Sequence, residues 1–110
     1  MKEPVLDDEA VAAALSSADG PRWTLVAGKL VKVVECAGFV GSLAFVGAVG
    51  ELAEAADHHP DIDIRYNRVT LALMTHDSGG ITRLDLDLAR AIDSVSAGTA
   101  ATSSPGRDVP

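Results

Sequence analysis

The chain has 110 residues, of which 47% are hydrophobic and 23% are charged, and its formal net charge is −7. This size and composition are typical of one soluble globular domain and exclude a fibrous or largely disordered chain. The acidic balance argues against nucleic acid as a partner, because binding to phosphates needs a basic face. The single Cys36 excludes an intramolecular disulfide and fits a reducing compartment.

Two features indicate a cytoplasmic protein with no membrane partner. The N-terminal residues Met1–Pro4 lack the apolar core of a secretory signal. The longest uncharged stretch, from Cys36 to Gly50, has 15 residues. That is shorter than the roughly 20 apolar residues that a membrane-spanning helix needs.

The first third of the chain predicts a helix and a hairpin. Leu6–Leu15 reads as a helix with Asp7 as its N-cap, since acidic residues and then an alanine run follow. Trp23–Val26 and Leu30–Val34 are rich in β-branched residues and predict two strands, joined by a tight turn at Ala27–Lys29.

Phe39–Ala56 predicts the longest helix. Its expected buried stripe recurs at spacings of three and four and consists of Phe39, Leu43, Val46, Val49, Ala53 and Ala56. No charge appears in this helix before Glu51, and a helix that is apolar on nearly all sides is usually covered on both. In so small a domain the second cover is another subunit, so we expect a homodimer or homotetramer through this helix.

The second half predicts another hairpin and a final helix. Asp61–Arg65 alternates cleanly, and Arg68–Thr75 alternates in the opposite phase. This places a turn or bulge around Asn67–Arg68, where Asn tolerates a left-handed backbone. Arg83–Val95 carries an apolar stripe of helical spacing. The element order α-β-β-α-β-β-α predicts an α+β fold, a four-stranded antiparallel sheet with helices on one face. Residues 1–96 form its single domain, and 97–110 read as a disordered tail.

All three histidines of the chain, His58, His59 and His76, lie within 19 residues of one another. His58 and His59 stand where the long helix must stop, since Pro60 disfavours a helical conformation in the residue before it. A simple interpretation is two histidines favoured by the partial negative charge of a helix C-terminus. A metal site is a weaker interpretation, because adjacent side chains usually point apart.

The spacing of these residues resembles the signature of the pterin-4a-carbinolamine dehydratase family. The matched positions are Glu54, His58, His59, Pro60, Tyr66, His76 and Asp85. Seven positions at fixed spacing are far more specific than a lone short motif. The resemblance extends over roughly residues 23–95, and that family's element order agrees with the one predicted from the pattern.

The resemblance implies a dehydratase that converts 4a-hydroxytetrahydrobiopterin to quinonoid dihydropterin and water during tetrahydrobiopterin recycling, with no cofactor and no metal. It implies His58 and His76 as general acid and base, with His59 helping to hold the pterin. Histidine suits proton transfer near neutral pH, because its ordinary pKa is about 6.5. The carboxylates Glu54 and Asp57 are close enough in sequence for one of them to orient a histidine.

Two questions stay open at this point. Asp85 can act in the site, or it can form a capping box with Thr82 at the start of the last helix. Tyr66 is interpreted as a packing residue.

The alternative function is a non-catalytic protein-binding scaffold, since relatives of this family serve as a transcriptional coactivator or as an assembly factor for a carboxylase. A complete set of histidines favours catalysis, because an adaptor has no need of it.

Overall fold

A four-stranded antiparallel sheet forms one layer of the computed structural model, which describes residues 3–96. The elements in chain order are α1 (Asp8–Ser16), β1 (Thr24–Val26), β2 (Lys29–Glu35), α2 (Gly38–Ala56), β3 (Asp61–Arg65), β4 (Arg68–Leu73) and α3 (Arg83–Ser96). The strand order is β1-β2-β4-β3, so the two hairpins join through their second strands. The predicted α+β fold and element order are confirmed. The expected tail at 97–110 lies outside the described residues.

Each hairpin turns through a two-residue loop. In the first, Ala27 and Gly28 both have positive φ, at 50° and 78°, as a tight turn between twisted strands favours. In the second, the residue with positive φ is Tyr66, at 53°, and not the expected Asn67. The pairing of Arg65 with Arg68 makes Tyr66 the first loop residue, so the register decides the conformation there and overrides the preference of Asn.

Strand β4 ends at Leu73, two residues before the predicted end at Thr75. Leu73 pairs with Leu30, the second residue of β2, so only Lys29 of that strand lies beyond this pair. Thr75 instead forms an isolated bridge with Gly80, which closes a short loop. His76 lies in that loop.

The core lies between the sheet and the helices. Its fully buried members include Leu30, Phe45, Val49, Val69, Leu71, Leu73, Ala89 and Ile92. The odd-numbered positions of β4 face this core, as the alternation of a strand with one covered face requires. The opposite face of the sheet is open and carries the exposed Val26 and Val33.

The buried face of α2 agrees with the expected stripe only in part. Val49 and Ala53 are buried as expected, but Phe39 and Leu43 are about half exposed, at 48% and 49%, and Phe45 is buried in their place. The reason is that α2 has apolar residues on nearly all sides, so the three-to-four spacing fits more than one face and does not select the one that packs. The buried face begins with the small residues Gly38, Gly41 and Ser42, and a Cβ at Gly41 would lie 3.3 Å from Cβ of Ala37, just before the helix.

Helix α2 has 19 residues and a mean hydropathy of 1.4, which by length and composition alone is enough to cross a membrane. The uncharged 15-residue stretch therefore understates the length of the apolar helix, because the helix continues through Glu51 and Glu54 to Ala56. One such helix is weak support for a membrane span, since the core helix of a soluble protein passes the same test.

Asp93 of α3 holds the beginning of the sheet in place. Its carboxylate accepts hydrogen bonds from the indole Nε1 of Trp23 at 2.7 Å, from Nζ of Lys32 at 2.6 Å and from the backbone N–H of Arg22 at 2.7 Å. These donors come from the segment before β1 and from β2. Trp23 therefore joins the core at one end of the sheet with its N–H satisfied.

We predict that Cys36 reacts slowly with thiol reagents in the folded protein. The side chain is only 1% exposed, and burial raises the pKa of its thiol, so less thiolate forms at any pH below that pKa. Ellman's reagent should titrate this one thiol quickly in urea and far more slowly under native conditions. The double variant Cys36→Ala, Ala37→Cys moves the thiol to an exposed neighbour and should react quickly in both conditions. Equal native rates for the two proteins would contradict the burial.

Candidate active site

The end of α2 aims a histidine inward. Asp57 ends the helix in the left-handed conformation, with φ 52° and ψ 44°. The N–H groups of Asp57 and His58 then bond back to the carbonyls of Glu54 at 3.2 Å and Ala53 at 3.1 Å, which satisfies the last turn. Pro60 prevents the helix from resuming. As a result His58 and His59 follow an abrupt reversal of the chain.

His58 is held by a buried carboxylate. Its Nε2 lies 2.5 Å from Oδ1 of Asp85 in α3, 27 residues further along the chain. The two side chains are 10% and 0% exposed. A contact this short and this well shielded from water fixes the orientation of the imidazole ring.

Asp85 both caps a helix and belongs to the site. Its Oδ2 accepts the backbone N–H of Thr82 at 2.9 Å, while Oγ1 of Thr82 accepts the backbone N–H of Leu84 at 3.1 Å. This is the predicted capping arrangement at the start of α3. The other carboxylate oxygen contacts His58. The cap and the contact with His58 are therefore compatible, since each uses a different oxygen.

His59 has a different environment. Its Nε2 lies 2.5 Å from Oε2 of Glu54, and the two side chains are 54% and 79% exposed. A pair so open to solvent contributes little to stability. Of the two carboxylates expected to orient a histidine, Glu54 contacts His59, whereas Asp57 serves to end α2.

His76 lies in a loop that the N-terminal segment fastens. The loop is closed by the N–H of Thr75 bonding to the carbonyl of Gly80 at 2.9 Å. Oγ of Ser78 donates to the carbonyl of Glu3 at 2.6 Å, and the N–H of Leu6 donates to the carbonyl of Ile81 at 2.8 Å. The position of His76 thus depends on contacts with residues more than 70 positions earlier.

These elements border a solvent-open cavity of about 260 Å³. Its lining consists of Asp57, His58, His59, Thr75, His76, Asp77 and Leu84. All three histidines predicted for the site therefore border one cavity. Asp85 contacts two of the lining residues, His58 and Thr75. Tyr66 is not among the lining residues. It precedes β4, whereas His76 follows that strand, and its carbonyl accepts a hydrogen bond from Ser42 at 2.6 Å.

Sequence reasoning missed Thr75, Asp77 and Leu84 as lining residues. For Thr75 a signal was present. The odd-numbered residues of β4 face the core, and continuing that alternation makes Thr75 a buried hydroxyl, which needs a hydrogen-bond partner. Within residues 3–96, no group of three or more His, Cys, Asp and Glu side chains is arranged to hold a metal ion.

Comparison with known proteins shows which family the chain belongs to. The model of the family described as pterin 4 alpha carbinolamine dehydratase matches residues 4–95. The chain belongs to the pterin-4-alpha-carbinolamine dehydratase family. A relative from Acidobacterium capsulatum, provisionally named as such a dehydratase, is 57% identical over 75 residues, which are 68% of this chain and 82% of the relative. A relative from Nocardia farcinica with the same provisional name is 46% identical over 93 residues, 84% and 96% of the two chains.

Solved structures of dehydratase-family proteins share the fold. The crystal structure of a transcriptional coactivator/pterin dehydratase from Brucella melitensis is similar with a TM-score of 0.74 at 30% identity, over 82% of this chain and 96% of that one. A pterin dehydratase-like protein, identified as a RuBisCO assembly factor in the alpha-carboxysome, gives 0.58 at 22% identity over 70% and 90%. At that identity the second likeness shows the fold alone.

We predict that Asp85→Asn destabilises this dehydratase-family fold by about 1–3 kcal/mol, because an amide cannot satisfy all the buried donors that the carboxylate accepts. Urea denaturation followed by Trp23 fluorescence measures the change. The control is Asp87→Asn, whose carboxylate is 54% exposed and pairs only with surface arginines. Its cost should stay below about 1 kcal/mol. Equal costs for the two variants would show that the buried network contributes nothing special.

Proposed function

We propose that the protein removes water from 4a-hydroxytetrahydrobiopterin to give quinonoid dihydropterin, within tetrahydrobiopterin recycling. The observation that carries the proposal is the cavity bordered by His58, His59 and His76, the positions of the family's motif. Membership of the family supports the reaction class. The net charge of −7 argues against nucleic acid as the ligand.

The chemistry needs two proton transfers. One proton must reach the 4a-hydroxyl oxygen so that it leaves as water, and the neighbouring ring nitrogen must lose one. His58 and His76 border the same cavity from different elements, one after α2 and one after β4, so one can act as the acid while the other acts as the base. We assign these two as general acid and base, with His59 and its partner Glu54 at the more exposed rim to hold the pterin. No cofactor takes part.

We predict that His58→Ala and His76→Ala each lower the catalysed dehydration rate by about 10²–10⁴-fold, the usual contribution of a positioned acid or base. Stopped-flow ultraviolet absorbance of freshly generated 4a-hydroxytetrahydropterin measures the decay. Asp63→Ala, an exposed change on β3 outside the cavity, is the control and should keep the wild-type rate. Circular dichroism establishes that the variants are folded. A wild-type protein that leaves the spontaneous decay unchanged would overturn the proposal.

We also propose that a second copy of the chain covers the outer face of α2. Phe39, Val40 and Leu43 form an exposed apolar patch there, with Val40 78% exposed. At Gly47 nothing lies within 4 Å of where a Cβ would stand, so the packing of one chain does not require glycine at that position. Glycine costs about 1 kcal/mol relative to Ala inside a helix, and close approach of a second helix would offset that cost.

Light scattering should therefore give a mass of two or four times 11.3 kDa at micromolar concentration. Val40→Glu puts a charge in the patch and should shift the protein toward monomer. Val33→Glu, a matched change on the open face of the sheet, should not. A wild-type protein that is entirely monomeric removes the proposal, and dissociation by Val33→Glu alone would move the interface to the sheet.

The second candidate function is a protein-binding scaffold that uses the same α2 patch for a different protein. The exposure of Phe39, Val40 and Leu43 is the observation that favours it. The Brucella melitensis relative is titled as both a coactivator and a dehydratase, so the two roles need not exclude each other. Absence of dehydration together with a monomeric protein would favour this candidate.

A further inference from the structure

A chain of hydrogen bonds beneath the cavity ends on Asp85. The carboxylate is 0% exposed and has three partners. Its Oδ2 contacts the backbone N–H of Thr82 at 2.9 Å and Oγ1 of Thr75 at 2.8 Å, and its Oδ1 contacts Nε2 of His58. Oγ1 of Thr75 also lies 2.7 Å from Oγ1 of Thr82. No buried side-chain nitrogen or oxygen in the described part of the chain lacks a partner.

The direction of each hydrogen bond follows from counting hydrogens. An ionised carboxylate only accepts, and a threonine hydroxyl has a single hydrogen to donate. The hydrogen of Thr75 therefore goes to Asp85, which leaves Thr82 as the donor in the contact between the two threonines. Oγ1 of Thr82 in turn accepts the N–H of Leu84 at 3.1 Å. In every hydrogen bond of this series, the donated hydrogen thus points along the series toward the Asp85 carboxylate.

The same counting fixes the tautomer of His58. Since Oδ1 of Asp85 accepts, Nε2 of His58 carries the hydrogen in their contact. A neutral imidazole has one protonated and one unprotonated nitrogen, so the free lone pair of His58 is on Nδ1. The nitrogen that exchanges a proton with a ligand must be that one, because Nε2 is already occupied.

We propose that Thr75 is a positioning residue that holds Asp85 so that His58 works through Nδ1. The backbone of Thr75 also anchors the loop of His76, since its carbonyl accepts the N–H groups of Ser78 at 3.1 Å and Gly79 at 2.9 Å. One residue thereby locates both proposed proton-transfer groups. What His58 does to a pterin rests on the proposed function, whereas its tautomer is a property of the free protein.

The first test is nitrogen-15 NMR of the histidine rings, recorded at a pH high enough for each ring to carry a single hydrogen. Only three histidines are present, and the variants His59→Gln and His76→Gln assign the signals by removal. In the wild type, the two-bond correlations of His58 should show hydrogen on Nε2. Hydrogen on Nδ1 would overturn the proposal without needing any activity.

The second test compares Thr75→Val with Thr75→Ser. Valine keeps the volume and removes the donor, so Asp85 should no longer be held in place against His58. The ring of His58 should then become a mixture of tautomers, and kcat should fall about 10- to 100-fold at little change in KM. Serine keeps the donor and should restore most of kcat and the wild-type tautomer. Thr70→Val, the same change on the opposite face of β4, should leave kcat as it is.

Two outcomes distinguish a failure of the proposed function from a failure of the proposed role of Thr75. If the wild type has no dehydratase activity, the proposed function fails while the tautomer measurement still decides the network. If Thr75→Val keeps both the wild-type tautomer and kcat, Thr75 positions nothing and the proposal fails although the enzyme works. If valine prevents folding, Thr75→Cys is used instead, because its thiol is a weak donor of similar size. Its kcat and its share of the wild-type tautomer should be lower than those of the wild type and of Thr75→Ser, but not lost. A cysteine variant equal to wild type in both readouts would contradict the role of the hydroxyl donor.

Discussion

The carboxylate of Asp85 is completely buried, and an ionised group in that position costs several kcal/mol unless donors surround it. The donors come from three separate parts of the chain: Thr82 before α3, Thr75 after β4, and His58 after α2. Hydrogen-bonding this one carboxylate therefore requires three segments of the chain to meet at one point. The cavity forms at that meeting point, so the same requirement that completes the fold also builds the site.

This arrangement treats two adjacent histidines differently. His58 is nearly buried against a fixed carboxylate, whereas His59 is paired with Glu54 in solvent and can change rotamer at little cost. A rigid ring suits proton transfer, because the reacting atoms must be aligned before reaction. A movable ring suits contact with a ligand whose shape varies. The left-handed Asp57 creates the difference by reversing the chain immediately before the pair.

Most of the fold could be predicted from the sequence, because alternation, turn residues and caps act locally. The element order, the two hairpins and the cap at Asp7 are such features, whereas the pairing of β2 with β4 was not predicted. The buried face of α2 could not, since its residues are apolar all round and only the tertiary packing selects Phe45 over Phe39. The left-handed residue of the second turn failed for a similar reason, because pairing across β3 and β4 decides it.

The site could be predicted as a set of residues but not as an arrangement. The histidines and Asp85 stood out by their spacing, and resemblance to a family gave them roles. That Asp85 divides its two oxygens between a helix cap and His58 needed coordinates, because each interpretation alone accounts for an aspartate at that position. Thr75 carried only the weak signal of a hydroxyl at a core-facing position.

Within α2 the exposed patch lies near the first turns and the cavity beyond the last. From Val40 to Asp57 there are 17 residues, which span about 25 Å of helix. A partner on the patch can therefore leave the cavity open, so the proposed subunit contact and the proposed reaction can use opposite ends of α2.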